Sequence, residues 1–425
     1  MATLASGLAA CSAPAAKESP APANTLAGRT LPELRGLYHA DLFDDFLPFL
    51  DAHVIDHERG GFMCNTGPQR GQPLDRQDNL GTRAAASGSI RSSTARLRRS
   101  RSISTWRASP VEFILPHRPK SGLWPASFTQ DGVAKPGRTA DIYGGLFVAN
   151  GLAEFERATG DDEYRVMAKE IVEDHVALYD SPEYRYDVTY SPGLPAIPGP
   201  RVLGHWMVLL RFATQYLEAG ADPWAEQLAK RSTDALLDQH FNPAYDLFNE
   251  VVNHDGSRAG QGYDQFCYIG HAIETLWMVM FEADRRKDDA LLDRAAALFR
   301  RHVEIAWDDV YQGFFRSIDH VDDNRWQVDK VLWLQEEVLI GTLFLIEKRD
   351  DRWAREWFAR TYDYVRDKWP LAPHGHALWI LSADRKVTYE EKATRVGNFH
   401  HPRHLMLNLL ALDRISSLDA NPPNP

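Results

Sequence analysis

The chain has 425 residues, 44% of them hydrophobic and 25% charged, with a net charge of −11. That length carries a large core, and the composition is ordinary for a globular protein. The acidic balance argues against nucleic acid as the main partner, because phosphate binding draws on a surplus of Lys and Arg. No run of about 18 apolar residues offers a membrane span.

At the N-terminus, Leu8-Ala9-Ala10-Cys11 has the form of a bacterial lipoprotein cleavage box, and Ser12 to Asn24 is Pro/Ala-rich like a tether. The basic n-region and longer apolar run of a signal peptide are missing. Residues 1–28 are therefore expected to be a disordered arm. Two localisations stay open: cytoplasmic with a plain tail, or a cell-envelope lipoprotein whose start codon is placed too late. The three cysteines, Cys11, Cys64 and Cys267, show no metal-type spacing.

Beyond the arm the chain repeats. Gly/aromatic turns begin near Gly61, Gly122, Tyr184, Asp246, Gly313 and Gly375, at spacings of 61, 62, 62, 67 and 62 residues. Amphipathic runs fill the intervals: Leu146, Val148, Ala149, Leu152 and Phe155 fall at helical spacing, as do Trp333, Val338, Leu339, Leu343 and Leu345. A period near 62 with two helices per repeat predicts six helical hairpins. Closed on themselves, they make an all-α (α/α)6 barrel over residues 29–418. The inner helices line a funnel, and the Gly/aromatic turns form short β-ribbons at its mouth.

One segment departs from this pattern. Gly81 to Ser109 contains seven arginines and no Asp or Glu, where the first inner helix is due. It is either a basic disordered insertion or the product of a local frame shift. Read from Leu80 in the frame that joins each third base to the next codon, the stretch can encode W-Y-T-G-R-G-I-W-V-Y-S-F-L-Y. That is an aromatic, helix-compatible run.

Two short stretches carry most of the chemistry. Gly270-His271-Ala272-Ile273-Glu274-Thr275-Leu276-Trp277 puts His271, Glu274 and Trp277 three apart, on one helix face. A carboxylate beside an imidazole raises its pKa toward the range where acid–base catalysis works. The plain alternative is a chance His/Glu pair on a surface helix. In Phe399-His400-His401-Pro402-Arg403, the residue before proline is expected to be extended. The two imidazoles then diverge, and only one faces the pocket.

These motifs resemble those of the N-acylglucosamine 2-epimerase family, which includes cellobiose 2-epimerases and mannose isomerases. The family carries G-H-x-I-E-x-x-W, matched by Gly270 to Trp277; K-x-W-W-x-Q-x-E, matched by Lys330 to Glu337 except at Leu332; and F-H-x-P-R, matched by Phe399 to Arg403. Its W-x-x-G-R-x-x-W helix occurs here only in the shifted frame. A middle-helix N-x-H-M-H run of cellobiose epimerases is reduced to Gly204-His205-Trp206-Met207-Val208, which disfavours that type of pocket.

The resemblance implies an (α/α)6 barrel in which His271 and His400 exchange the C2 proton of an open-chain mono- or disaccharide through a cis-enediolate. Glu274 is expected to tune His271, and Glu337 to act in catalysis or ring opening. Trp333, Trp277, Arg403 and His205 are the candidate substrate contacts. Arg403 has a structural ion pair as its alternative, and Trp333 plain core. Glu336 is expected to be solvated, and Lys330 to be a structural ion-pair partner. The carbonyl-polarising arginine of the family motif is unassigned; Arg83 is near but in the wrong context. No metal or redox cofactor is expected, since the adjacent carbonyl acidifies the carbon. The sequence leaves open which sugar is used, epimerase against isomerase, and assembly, for which a homodimer is entertained. A glycoside hydrolase would need two carboxylates flanking one bond. An inactive sugar-binding relic is the third reading.

An inner helix with seven arginines would bury unpaired charge. The chain as given is therefore expected to be poorly stable, with little or no epimerase activity. A chain carrying the shifted-frame peptide should exchange the C2 proton of sugars with solvent. Full activity of the given chain would establish the insertion instead.

Overall fold

In the computed structural model, residues 25–61, 109–125, 128–129, 132–134, 141–191, 193–372, 376–381, 389–396 and 399–420 are described. The lipoprotein box and the segment 81–108 lie outside them. Thr25 to Gly28, taken above as the end of the arm, belong instead to a hairpin of β1 (Thr25–Leu26) and β2 (Arg29–Thr30) that buries Leu26. Thr30 then caps α1 (Leu31–Ala40) in a reciprocal box with Glu33. A π-helical turn at Asp41–Phe46 leads into α2 (Leu47–His53), and α3 (Ser109–Ile114) is a short helix.

Four helical hairpins follow: α4 (Ile142–Thr159) with α5 (Asp162–Asp180), α6 (Leu203–Ala219) with α7 (Pro223–Asp234), α8 (Ile269–Arg286) with α9 (Asp289–Ala306), and α10 (Leu332–Arg349) with α11 (Arg352–Lys368). The last helix, α12 (His400–Ala420), packs on α1, so the two ends of the chain make a fifth pair. Helices α4, α6, α8, α10 and α12 lie side by side as the inner wall. Phe147 of α4 meets Phe399 at the head of α12, with ring centroids 5.1 Å apart. This is the (α/α)6 toroid, with five of its helix pairs among the described residues.

Local chemistry dictates both ends of each hairpin. Three inner helices stop at a residue in the left-handed region, Gly160, Lys287 or Asp350. The next residue, Asp161, Asp288 or Asp351, caps the outer helix with its carboxylate; Asp222 does the same for α7. Each such cap contributes about 1 kcal/mol. At the other end, three of the repeated Gly/aromatic turns are opened by Asx turns. Asp56 Oδ1 accepts from the N–H groups of Glu58 and Arg59, Asn242 Oδ1 from Ala244, and Asp308 Oδ1 from Val310 and Tyr311.

Short antiparallel ribbons accompany those turns. They are β4 (Phe241–Asn242) with β5 (Leu247–Phe248), β3 (Arg201–Val202) with β6 (Val251–Val252), and β7 (Ser317–His320) with β8 (Arg325–Gln327). β9 (Lys330–Val331) pairs with β10 (Ala377–Leu381), and β10 with β11 (Tyr389–Val396). β3 and β9 run straight into α6 and α10, so the ribbons collar the N-terminal ends of inner helices. The inner helices are buried around most of their circumference, while α9 buries a single stripe of Leu292, Ala295, Phe299, His302, Val303 and Ala306. As expected, Lys330 is a buried ion-pair partner, 2.6 Å from Asp308.

Two core histidines are built to be neutral. His302 donates from Nδ1 to the Leu298 carbonyl and accepts the Phe248 N–H at Nε2, tying β5 to α9. His240 donates from Nδ1 to the Asn249 carbonyl. Burial pushes both imidazoles down from 6.5 to about 4. Between those values the unfolded chain binds more protons than the folded one, so stability rises with pH through the window and is lost as pH falls from 6.5 toward 4. Each group is worth about 3 kcal/mol at the bottom of the window. The melting temperature should fall steadily over that range, and His302→Gln should flatten part of the fall. A melting temperature constant from neutral pH to pH 4 would contradict this.

Candidate active site

The side chains of the three sequence motifs come from the N-terminal halves of adjacent inner helices. α8 supplies His271, Glu274 and Trp277; α10 supplies Trp333, Glu336 and Glu337; α12 supplies His400, His401 and Arg403. Two glycines let these helices close in. A Cβ at Gly270 would sit 2.1 Å from the Trp333 indole, and one at Gly204 would sit 2.1 Å from the Tyr143 hydroxyl and 3.1 Å from His271. The N-caps of α6, α8 and α10 are Val202, Tyr268 and Val331, none with a side-chain cap. Three positive helix ends thus point toward the collar.

Trp333 stands between the two histidines. Its ring centroid is 5.0 Å from His400 and 5.9 Å from His271. The His271 and His400 side chains stay 17% and 21% exposed, whereas their carboxylate partners are sealed. His400 Nδ1 lies 2.9 Å from Glu337 Oε1. Arg403 Nη2 is also 3.0 Å from that nitrogen, but its two N–H groups are directed to Glu274 at 2.6 Å and Glu337 at 2.5 Å. Nδ1–H of His400 therefore donates to Glu337, which places the basic lone pair of the neutral ring on Nε2.

Glu337 also accepts the Trp277 indole N–H at 2.7 Å. Burial pushes its carboxyl up, against the pull of Arg403 and Trp277. Three donors converging on two oxygens favour the carboxylate. Burial works against the Arg403 charge too, yet Glu337 and Glu274 raise its pKa further.

The structure revises the sequence assignments in three places. Glu274 shares a helix with His271 but bonds Arg403; the carboxylate on His271 is Glu250, whose Oε1 is 2.8 Å from Nδ1. Glu336 is not solvated: it is 1% exposed and bonds His401 Nδ1 at 2.5 Å. Burial would raise its carboxyl, but the imidazoles of His401 and His404 hold it well below the usual carboxylate range. His401 is helical rather than extended, because Pro402 falls in the first turn of α12, where a missing N–H costs nothing. The two imidazoles still diverge, one to Glu337 and one to Glu336.

The expected sugar contacts also divide. Trp333 is half-buried between the histidines. Trp277 is fully buried, and Arg403 is 6% exposed with its guanidinium over the Trp277 ring, so both support the site from behind. His205 is fully buried in a cage of Tyr143, Tyr179, Tyr184 and Tyr186, and burial drives its pKa well down. It does not open on the funnel.

Sequence reasoning missed Glu250 and Tyr190. Glu250 is the residue before β6 and is fully buried. Tyr190, from the loop over residues 181–200, donates its hydroxyl to Glu250 at 2.6 Å and stands 5.5 Å from the His271 ring. Burial and Glu250 together raise the tyrosine's pKa well above its ordinary value.

Among solved structures, the cellobiose 2-epimerase from Bacillus thermoamylovorans B4167 superposes with a TM-score of 0.75 at 14% identity, covering 89% of this chain and 99% of that one. A D-mannose isomerase gives 0.63 at 15%, covering 91% and 97%. A family 76 glycoside hydrolase (mannosidase) from Bacteroides thetaiotaomicron VPI-5482 gives 0.55 at 12%, covering 91% and 100%. At these identities the likeness establishes the fold, a toroid used by sugar-converting enzymes. No curated protein matches in sequence. The family of N-acylglucosamine 2-epimerase (GlcNAc 2-epimerase) matches residues 111–403, and the chain belongs to that family of carbohydrate epimerases and isomerases.

The Glu250–His271 pair gives a direct test. A carboxylate at Nδ1 stabilises the imidazolium, so removing its charge lowers the pKa of His271. Glu250→Gln should shift the His271 titration, followed by imidazole NMR, to lower pH, and the acid limb of any pH–rate profile with it. Glu274→Gln should leave that titration in place. The opposite pattern would restore Glu274 as the partner.

Proposed function

We propose that the chain is a sugar 2-epimerase or aldose–ketose isomerase in which His271 and His400 form the acid–base pair. The observation that carries this reading is the pairing itself. Two part-exposed imidazoles flank one indole, and each is bonded through Nδ1 to a buried carboxylate. That arrangement directs Nε2 of each ring to the substrate side and supports the charge the ring takes on with a proton.

The substrate is an open-chain mono- or disaccharide whose C2 lies between the two rings. One histidine takes the C2 proton, giving a cis-enediolate. Return of the proton to C2 from the other face gives the epimer; delivery to C1 gives the ketose. Developing negative charge on the enediolate is met by the N-terminal ends of α6, α8 and α10, which carry no side-chain caps. Trp333 offers an apolar face for the sugar's C–H groups. Arg403, Glu274 and Trp277 act through Glu337, holding it against His400. A hydrolase reading is weaker: the buried carboxylates Glu274 and Glu337 share Arg403, so neither is set across a glycosidic bond from the other.

The test is exchange of the C2 proton with deuterated water over a panel of aldoses, in whichever chain is active, as given or with the shifted-frame peptide. His271→Asn and His400→Asn should each cut exchange by roughly 10² to 10⁴ with folding nearly intact. Ordinary exchange by the His400→Asn protein would make His401 the candidate. Glycoside cleavage without exchange would favour the hydrolase, and sugar binding with neither would mark a relic.

A further inference from the structure

Behind the catalytic pair lies a second cluster that the reaction does not use. His401 and His404 are one turn apart on α12, and both turn their Nδ1 atoms toward Glu336 of α10. Glu336 Oε1 is 2.5 Å from His401 Nδ1 and 3.5 Å from His404 Nδ1. The donor atoms of all three lie within 4.8 Å of one another. The three side chains are only 1%, 14% and 5% exposed. Nδ1 of His404 is buried and makes no hydrogen bond among the described residues. Its ring is held in that orientation from the far side, where Nε2 is 3.0 Å from the Tyr38 hydroxyl, itself bonded by Asn408.

Only one other trio among the described residues has this spacing: Glu274, Glu337 and His400. There the Arg403 guanidinium bonds both carboxylates, so a cation already fills the centre. Among the described residues no Lys or Arg is bonded to Glu336, and its charge is met by imidazoles. Glu336 and His401 occupy unspecified positions of the motifs that carry the acid–base site, and His404 lies outside them.

We propose that Glu336, His401 and His404 bind one divalent transition-metal ion, with zinc the best match to two imidazoles and a carboxylate, and that the ion clamps α10 to α12 behind the catalytic pair. Tetrahedral zinc with bonds near 2.0–2.1 Å sets its ligands about 3.4 Å apart. The Glu336–His404 separation already meets that figure. The Glu336–His401 hydrogen bond opens by less than about an ångström, and the proton leaves Nδ1 of His401, which binds as the neutral ring with its N–H on Nε2. The far-side contact of His404 to Tyr38 is the outer hydrogen bond that orients a ligating imidazole. The site is separate from the proton-transfer reading, because its ligands touch neither His271 nor the face of His400 that meets Trp333.

The test uses the full chain dialysed against a chelator and titrated with Co²⁺ alone, then with Zn²⁺. The expected result is one Co²⁺ per chain with the intense visible absorption of tetrahedral cobalt, displaced by Zn²⁺, and a rise in melting temperature with Zn²⁺. Glu336→Gln and His404→Gln should each weaken uptake by about tenfold or more. His57→Gln, at an exposed imidazole, should leave uptake unchanged. A wild-type chain with no cobalt band and no zinc-dependent melting shift overturns the proposal without any variant having to fold. So does unaltered uptake by both site variants. Because the readout is bound metal, either result leaves the two-histidine reaction untouched.

Discussion

One guanidinium organises the centre of this barrel. Arg403 projects from α12 and bonds Glu274 on α8 and Glu337 on α10, so three adjacent inner helices are tied at one point. Two carboxylates this deeply buried would repel each other and resist ionising without it. Removing one partner of such a buried network typically costs about 3–5 kcal/mol, because the remaining charges are stranded. Phe399 and Trp277 pack against the same guanidinium, 4.7 and 5.3 Å from their ring centroids, so it is fixed by aromatic faces as well as by charge. With Arg403 in place, Glu337 becomes a fixed acceptor, and the orientation of His400 follows from it.

The two catalytic candidates are supported differently. His400 leans on a carboxylate in the barrel wall, held by an arginine and an indole from other helices. His271 leans on Glu250, which reaches it from the ribbon collar and is bonded in turn by Tyr190 of the 181–200 loop. The basicity of His271 is therefore open to changes in the collar and loop, while that of His400 is set by the packing of inner helices. Two histidines of similar function can thus be tuned apart by substitutions that touch neither ring.

Much of this was legible in the sequence where the cause is local. The 62-residue period reflects Asx turns and Asp caps that recur because each hairpin must satisfy the same backbone groups, so the toroid could be read without alignment. The motif histidines were legible because they sit in helix starts with a distinctive neighbourhood. What failed was partner assignment across helices. Glu274 lies one turn from His271, yet its carboxylate finds the stronger partner, a buried guanidinium on α12. Glu250 precedes His271 by 21 residues with no helical relation between them; only the β3–β6 ribbon brings it there. Glu336 looked solvated because a charged residue beside a motif glutamate usually points out. His401 and His404 reverse that, and neither carried a signal in α10 itself.

The same pair of helices carries two rungs of different character. Glu337 pairs with His400, and one residue away on each helix Glu336 pairs with His401. Successive residues on a helix diverge by about 100°, so the two rungs cannot face the same way. The first turns toward Trp333 and the funnel; the second turns toward α1 and the following turn, where Tyr38 and Phe46 receive it. A change that rotated α12 by one residue would exchange the rungs and present His401 to Trp333 and the funnel. The inward rung is held by Arg403. The outward one is held by Glu336 and its imidazoles, so the cluster behind the site fixes which histidine faces Trp333.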